Sequence, residues 1–175
     1  VMERQKIQQT EIDSAVKYRL GFPMGIFELA DFTGLDVIQK ATVEMHVRDK
    51  KVILPHPTIE QLFNEKKLGQ KSGEGFYKYS DDKYERIPLS EELAQKCNPI
   101  QIIGNILNNA AWLVTNNASD IDEIEKAANL GLGLKKPLFE TAKEIGMQKI
   151  VDELNQLSKK YGTFYEPDSL LLSMC

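Results

Sequence analysis

Apolar residues recur along this chain at helical spacing and almost never in alternation. Ile12, Ala15 and Val16, followed by Arg19, predict a helix that stops near Gly21. Thr10-Glu11-Ile12-Asp13 opens it with an acid three residues after a hydroxyl, the arrangement of a capping box. Phe22-Pro23-Met24-Gly25 begins a second helix, with proline near the first turn, where no amide partner is needed. Ile26, Phe27, Ala30 and Phe32 supply its buried face, and Gly34 ends it. A third helix starts at Leu35-Asp36 and carries Val37, Ile38, Ala41, Met45 and Val47 as its stripe. Pro55-His56-Pro57 forces an extended break, because the residue before each proline is pushed out of the helical region. Thr58 then caps a short helix through Ile59, Leu62 and Phe63.

The run from Leu68 to Tyr79 is glycine-punctuated, aromatic at its end and predicts a loop. Ser80 to Asn98 predicts a linker between Pro88 and Pro99 stops, with a short helix from Ser90. Beyond it, Ile102, Ile103, Ile106, Leu107, Ala110, Ala111, Leu113 and Val114 predict a long helix from Ile100 to about Asn116, buried on most sides, with Trp112 in the core. Ser119-Asp120 caps the next helix, through Ile124 and Ala127 to Gly131. Helices from Pro137 to Ile145 and from Met147 to Lys160 follow, then an extended stretch to Pro167. The fold class is all-α.

The pattern is written twice. Residues Glu11 to Ile38 return without a gap as Glu123 to Ile150, with ten identities in 28 positions, where about two would arise from ordinary residue usage. The offset of 112 suits a small domain, not a solenoid unit. We expect residues 1–82 to form a first copy, 83–98 a linker and 99–175 a second, diverged copy. The first copy's counterpart of Ile100 to Trp112 falls before Val1. Pro57-Thr58 through Leu62 pairs with Pro167-Asp168 through Leu172, which puts the counterpart of the glycine-rich loop beyond Cys175. Both ends therefore read as cut from something longer. Two copies on one chain are at high effective concentration, and the repeat predicts that they pair about a pseudo-two-fold axis.

A net charge of −4 gives no footing for nucleic acid or an anionic membrane surface. Apolar runs stay short of membrane-spanning length, and the start is polar. Cys97 and Cys175 form neither a disulfide framework nor a metal pattern. A reducing cytoplasm is the expectation.

Three stretches of the first copy carry a family resemblance. Glu11-Ile12-Asp13-Ser14-Ala15, then Gly21-Phe22-Pro23-Met24-Gly25-Ile26-Phe27-Glu28-Leu29-Ala30-Asp31 with Gly34-Leu35-Asp36, and finally Gly69-Gln70-Lys71-Ser72-Gly73-Glu74-Gly75-Phe76-Tyr77-Lys78-Tyr79 resemble, in this order and spacing, the C-terminal domain of 3-hydroxyacyl-CoA dehydrogenases. That domain has the helical fold of the 6-phosphogluconate dehydrogenase C-terminal type. A tandem pair resembles the long forms often fused to an enoyl-CoA hydratase. The resemblance implies NAD-dependent oxidation of L-3-hydroxyacyl-CoA to 3-oxoacyl-CoA in fatty-acid β-oxidation. It also implies an upstream Rossmann domain with a glycine fingerprint and a His–Glu pair that takes the hydroxyl proton.

None of that machinery is in these residues. Gly131-Leu132-Gly133 follows a helix and has no third glycine, and His46 and His56 match no family motif. Asn105, Asn108 and Asn109 lie on the helix that corresponds to the one bearing the family's catalytic asparagine. The region alone has no catalytic residue and no metal site. By resemblance, Phe22, Pro23, Met24 and Gly25 line the acyl pocket, a ring and a flexible thioether suiting an acyl chain, and Lys71 reaches the dinucleotide. The plainer readings are a helix start and a solvated lysine. The second copy has Leu134-Lys135-Lys136-Pro137 at the pocket turn, which predicts that its ligand role is lost. Glu28 and Glu140, present in both copies, are read as structural. The rival to an enzyme fragment is a non-catalytic helical binding or assembly module reusing the fold.

Overall fold

The structure is a computed structural model that describes residues 6–79, 88–134 and 136–175. Its helices are α1 (Gln9–Tyr18), α2 (Ile26–Thr33), α3 (Leu35–Arg48), α4 (Pro57–Asn64), α5 (Glu91–Ala94), α6 (Ile100–Thr115), α7 (Ile121–Leu132), α8 (Leu138–Ile145), α9 (Met147–Tyr161) and α10 (Ser169–Ser173). Among the described residues there is no strand; two isolated bridges join Glu74 to Gly69 and to Lys78 within the glycine-rich loop. Among the described residues, no helix is long and apolar enough to cross a membrane.

The 112-residue offset governs the whole architecture. Adding it to α2 lands on α8 residue for residue, and adding it to α3 lands on α9 with one extra residue at the end. Gly34 and Gly146 separate these helix pairs at φ +99° and +105°, backbone that a Cβ would strain. The register continues past the helices. His56 Nδ1 accepts from the Thr58 amide, and Asp168 accepts from the Leu170 amide, so the two N-caps stand at equivalent positions. This corrects the pairing of Pro57 with Pro167: Pro55 is the equivalent proline. It also moves the cap from Thr58 to His56. The capping box of α1 lies earlier than the hydroxyl suggested, because Glu11 Oε2 accepts from the Gln8 amide at 2.7 Å and Asp13 turns inward.

Burial follows the second copy's first helix. α6 packs against α7, α8, α9 and α10. Gly104 lets α9 approach: a Cβ there would stand 3.3 Å from Ile150 Cγ2. Met147, Ile150, Val151, Leu154 and Leu157 are all buried on the α9 side. Burial along α6 ends at Ala111, so Trp112 is exposed and not in the core. In the first copy α3 packs against α2 and α4, but among the described residues no counterpart of α6 lies across it. Met45 and Val47 lie 56% and 61% exposed, and Val37, Ile26 and Phe32 are exposed too, against expectation. A stripe of the right period is buried only where a second element covers it.

The α1 helix is covered differently. Ile12, Ala15, Val16 and Leu20 are buried in one continuous core with Ala94, Cys97, Leu107, Leu138 and Ile150. The connecting residues 88–98 are strapped to α1. The Ser90 amide donates to Ser14 Oγ, Arg19 donates to the Cys97 carbonyl at 2.6 Å, and Lys96 pairs with Glu11. The expected linker residues 80–87 lie outside the described residues. Both cysteines are free thiols, Cys97 buried and Cys175 exposed.

Candidate functional site

The second helix does not begin at proline. α2 starts at Ile26 with Gly25 as its N-cap, and Pro23 lies outside it. The reason is a carboxylate from α1. Asp13, fully buried, accepts from the Phe27 amide at 2.9 Å and the Glu28 amide at 3.0 Å, satisfying two donors that a helix start leaves open. It sits where a side chain on Gly25 would be: a Cβ there would lie 2.1 Å from Asp13 Cγ. Glu28 completes the turn by accepting from the Gly25 amide at 2.8 Å while pairing with Lys17 at 3.2 Å. Its structural reading holds.

A second buried carboxylate organises the glycine-rich loop. Asp31 accepts from the Phe76 and Tyr77 amides, both at 2.9 Å, and from the Tyr79 hydroxyl at 2.8 Å. Glycine is required at two points: a Cβ on Gly75 would stand 2.1 Å from Asp31 Oδ1, and one on Gly69 2.2 Å from the Asp31 carbonyl oxygen. Gly69 also holds φ at +93°. The loop then reaches back to α1, where Tyr77 donates its hydroxyl to Asp13 Oδ2 at 2.9 Å. The Phe27 and Phe76 rings meet edge to face at 4.7 Å.

This environment shapes the titration of both acids. Burial, with a smaller push from the Glu28 charge, outweighs the amide and Tyr77 hydrogen bonds and holds the Asp13 carboxyl up at about 6. Burial raises Asp31 as well, against its three donors. Tyr77 is held far above the ordinary phenol range by burial and then by the Asp13 charge.

Around this hub stand the residues singled out in the sequence. Phe22 is half-buried against the common core. Pro23 is exposed, Met24 half-buried and Gly25 buried. The Pro23 ring sits 3.2 Å from the place a Cβ on Gly133 would take. Gly133 is the counterpart of Gly21, so corresponding turns of the two copies meet here. Lys71 projects from the loop and is ion-paired with Asp36, beside Gly34. That pairing holds the Asp36 carboxyl below the usual range.

The second copy keeps only half of this construction. Glu125, at the position of Asp13, accepts from the Leu138 and Phe139 amides at 2.6 and 2.8 Å. Its longer side chain caps α8 one residue earlier than Asp13 caps α2. Pro137 replaces Gly25 and has no N–H, so Glu140 has nothing to accept there and is exposed. Lys143 replaces Asp31. Of the pocket-turn counterparts, Lys136 pairs with Glu144 and Lys135 lies outside the described residues. The asparagines of α6 are occupied structurally. Asn108 clamps the chain by donating to the Glu166 carbonyl and accepting from the Asp168 amide, both at 2.8 Å. Asn109 donates to the Asn105 carbonyl. Among the described residues, no three His, Cys, Asp or Glu side chains converge as a metal set.

The roles of Asp13 and Asp31 were not legible from residue type, since an acid early in a helix reads as a cap or a solvated charge. The signal was in the glycines. Gly25, Gly69 and Gly75 mark close backbone approaches, and the page of partners they share is these two acids.

Two helical stretches in one register around a common core, with a glycine-rich loop joined to a turn of the first, define an all-α protein. The chain belongs to the family of the 3-hydroxyacyl-CoA dehydrogenase C-terminal domain, whose model matches residues 1–79 and again residues 101–175. The chain is 43% identical over 79 residues to the mitochondrial hydroxyacyl-coenzyme A dehydrogenase of Rattus norvegicus, covering 44% of this chain and 25% of that protein. Both copies together are 28% identical over 176 residues to the fatty acid oxidation complex subunit alpha of Vibrio vulnificus, covering 92% of this chain and 25% of that protein. The chain thus spans about a quarter of these relatives' length. In fold it is similar to the 3-hydroxybutyryl-CoA dehydrogenase of Escherichia coli, with TM-score 0.77 and 19% identity over 99% of this chain and 55% of that one. The dehydrogenase part of multifunctional enzyme 1 from C. elegans gives 0.65 and 22% over 95% and 42%.

Proposed function

We propose that this region is the substrate-side, tandem helical part of an NAD-dependent 3-hydroxyacyl-CoA dehydrogenase of fatty-acid β-oxidation, oxidising L-3-hydroxyacyl-CoA to the 3-oxoacyl thioester. The observation that carries the reading is a junction in the first copy: the turn at Phe22–Gly25 and the glycine-rich loop bearing Lys71 are joined through buried carboxylates, in a chain of this family. Phe22, Pro23 and Met24 offer apolar and soft surface to an acyl chain. Lys71 fits one phosphate contact, being a half-exposed ammonium on a loop, parked on Asp36. No dinucleotide cradle accompanies it among the described residues, so the rest of the NAD site falls to an upstream Rossmann domain. When bound, NAD takes the hydride from the hydroxyl-bearing carbon. The hydroxyl proton needs a base outside this region.

The two copies are proposed to form a pseudo-two-fold pair. The shared core and the meeting of Pro23 with Gly133 support this. A hydratase module downstream and a reducing, cytoplasmic setting complete the proposal. The test is NADH formation by the full-length protein with an L-3-hydroxyacyl-CoA. Turnover there, with none from residues 1–175 alone, is expected. A full-length protein that binds acyl-CoA and NAD without turnover overturns the reading in favour of a binding module.

A further inference from the structure

We propose that Asp13 and Asp31 are positioning residues that hold the acyl-pocket turn and the Lys71 loop in one fixed relation, so that the two ligand contacts of the first copy are set together. The inference rests on the roles proposed above for Phe22–Gly25 and Lys71, and extends them to residues that touch neither ligand.

The geometry is that of two linked clamps. Asp13 belongs to α1, yet it spends its carboxylate on the first turn of α2 and on the loop residue Tyr77, 64 positions away. It therefore ties the end of the pocket turn to the loop through one rigid, buried group. Asp31 spends its carboxylate wholly on the loop, taking two successive amides and a hydroxyl. Three glycines yield the space these two acids need, Gly25 to Asp13, and Gly69 and Gly75 to Asp31. Ser72 fastens the front of the loop, accepting from the Leu68 amide at 2.7 Å and sharing its single hydroxyl proton between the Gly69 and Glu74 carbonyls. Lys71 is adjacent to that anchor and so inherits its place from it.

The second copy is the internal control. Glu125 retains the helix-capping half of Asp13's task, while Lys143 stands in place of Asp31. Capping alone is thus enough to build the helical unit. The second clamp, Asp31, is spent wholly on the glycine-rich loop of the first copy. A carboxylate kept buried merely for stability would be a poor choice, since burial costs what its hydrogen bonds return. One kept for geometry is explained by the need to hold a loop to within a fraction of an ångström.

Two measurements test the proposal. The first is amide hydrogen exchange of residues 22–28 and 69–79 in this chain, comparing Asp31→Asn, Asp13→Asn and Tyr77→Phe, the last removing only a hydroxyl. Asp31→Asn and Tyr77→Phe should speed exchange in the loop, and Asp13→Asn in both segments. Independence of the two segments in Asp13→Asn overturns the coupling. The second is steady-state kinetics of the full-length protein. Asp31→Asn should raise the KM for NAD about tenfold with kcat nearly unchanged, and Asp13→Asn should raise the KM for NAD and for acyl-CoA together. Lys71→Ala separates the two failures. If it raises the KM for NAD while Asp31→Asn does not, positioning is overturned. If Lys71→Ala leaves that KM unchanged, the functional role of the loop falls instead.

Discussion

The two copies fold α2–α3 and α8–α9 in one register, yet they expose different chemistry. Leu29, Phe32, Val37 and Val47 stand on the outer surface of the first copy, and Thr141, Glu144, Lys149 and Lys159 occupy the same positions in the second. On the inner side the order reverses. Gln39 and Thr42 replace Val151 and Leu154, which are buried in one core with α6. Gln39 even buries an oxygen with no hydrogen-bond partner. The backbone is therefore the common element, and side chains divide the labour. Among the described residues, α6 covers the inner face of the second copy, and two buried acids organise the turn and loop of the first.

Substitutions that exploit this contrast should differ most where backbone approaches side chain. Gly69→Ala must fit a methyl 2.2 Å from a carbonyl oxygen at φ +93°, and should destabilise the chain by about 3 kcal/mol or more. A urea-unfolding midpoint checks it. Gly133→Ala, at a left-handed φ of +66° beside the ring of Pro23, should cost about 1 kcal/mol by the same assay.

The buried stripe gives the next effect. Leu154→Ala empties a fully buried site beneath Gly104 and should cost about 2–5 kcal/mol, whereas Thr42→Ala at the equivalent position of the first copy should stay within about 0.5 kcal/mol. Equal losses would show that α3 is covered as α9 is.

Acidity supplies a third. Asp13 moves from 3.8 to about 6 on folding, facing Glu28, which Lys17 neutralises, and the Tyr77 hydroxyl. Its folded form holds the proton more tightly than the unfolded form does. The resulting stability is complete below about pH 4 and is lost as pH rises through 6, by about 3 kcal/mol. Asp13→Asn should flatten this stretch of the stability–pH curve. An unchanged slope between pH 4 and 6 would count against it. The smallest effect is expected for Val47→Lys, which installs the second copy's residue on an exposed site and should leave stability within about 0.5 kcal/mol.

How much of this could be read from the chain depends on the range of the interactions. Helices bounded by local chemistry were legible: Gly34 and Gly146 end α2 and α8, and Asp120 caps α7 through the Glu123 amide. The start of α2 was not, because its cap comes from Asp13, on the preceding helix and 14 residues away from Phe27. The stripe of α3 was legible as a period but not as burial, which depends on whether another helix lies across it. Resemblance singled out the turn at Phe22–Gly25 and the loop bearing Lys71. Their joining by Asp13 and Tyr77 depends on a contact across 64 positions that periodicity does not report.

The proposed division of labour places the acyl contact in the turn of the first copy and not in its counterpart in the second. It is met most directly at an equivalent pair, Met24 and Lys136, in the full-length protein. Met24→Ala should raise the KM for a medium-chain 3-hydroxyacyl-CoA about tenfold, at the cost of a few lost methylene contacts, and Lys136→Ala should leave it unchanged. Equal effects from the two substitutions, or an effect from Lys136→Ala alone, would contradict the division of labour between the copies.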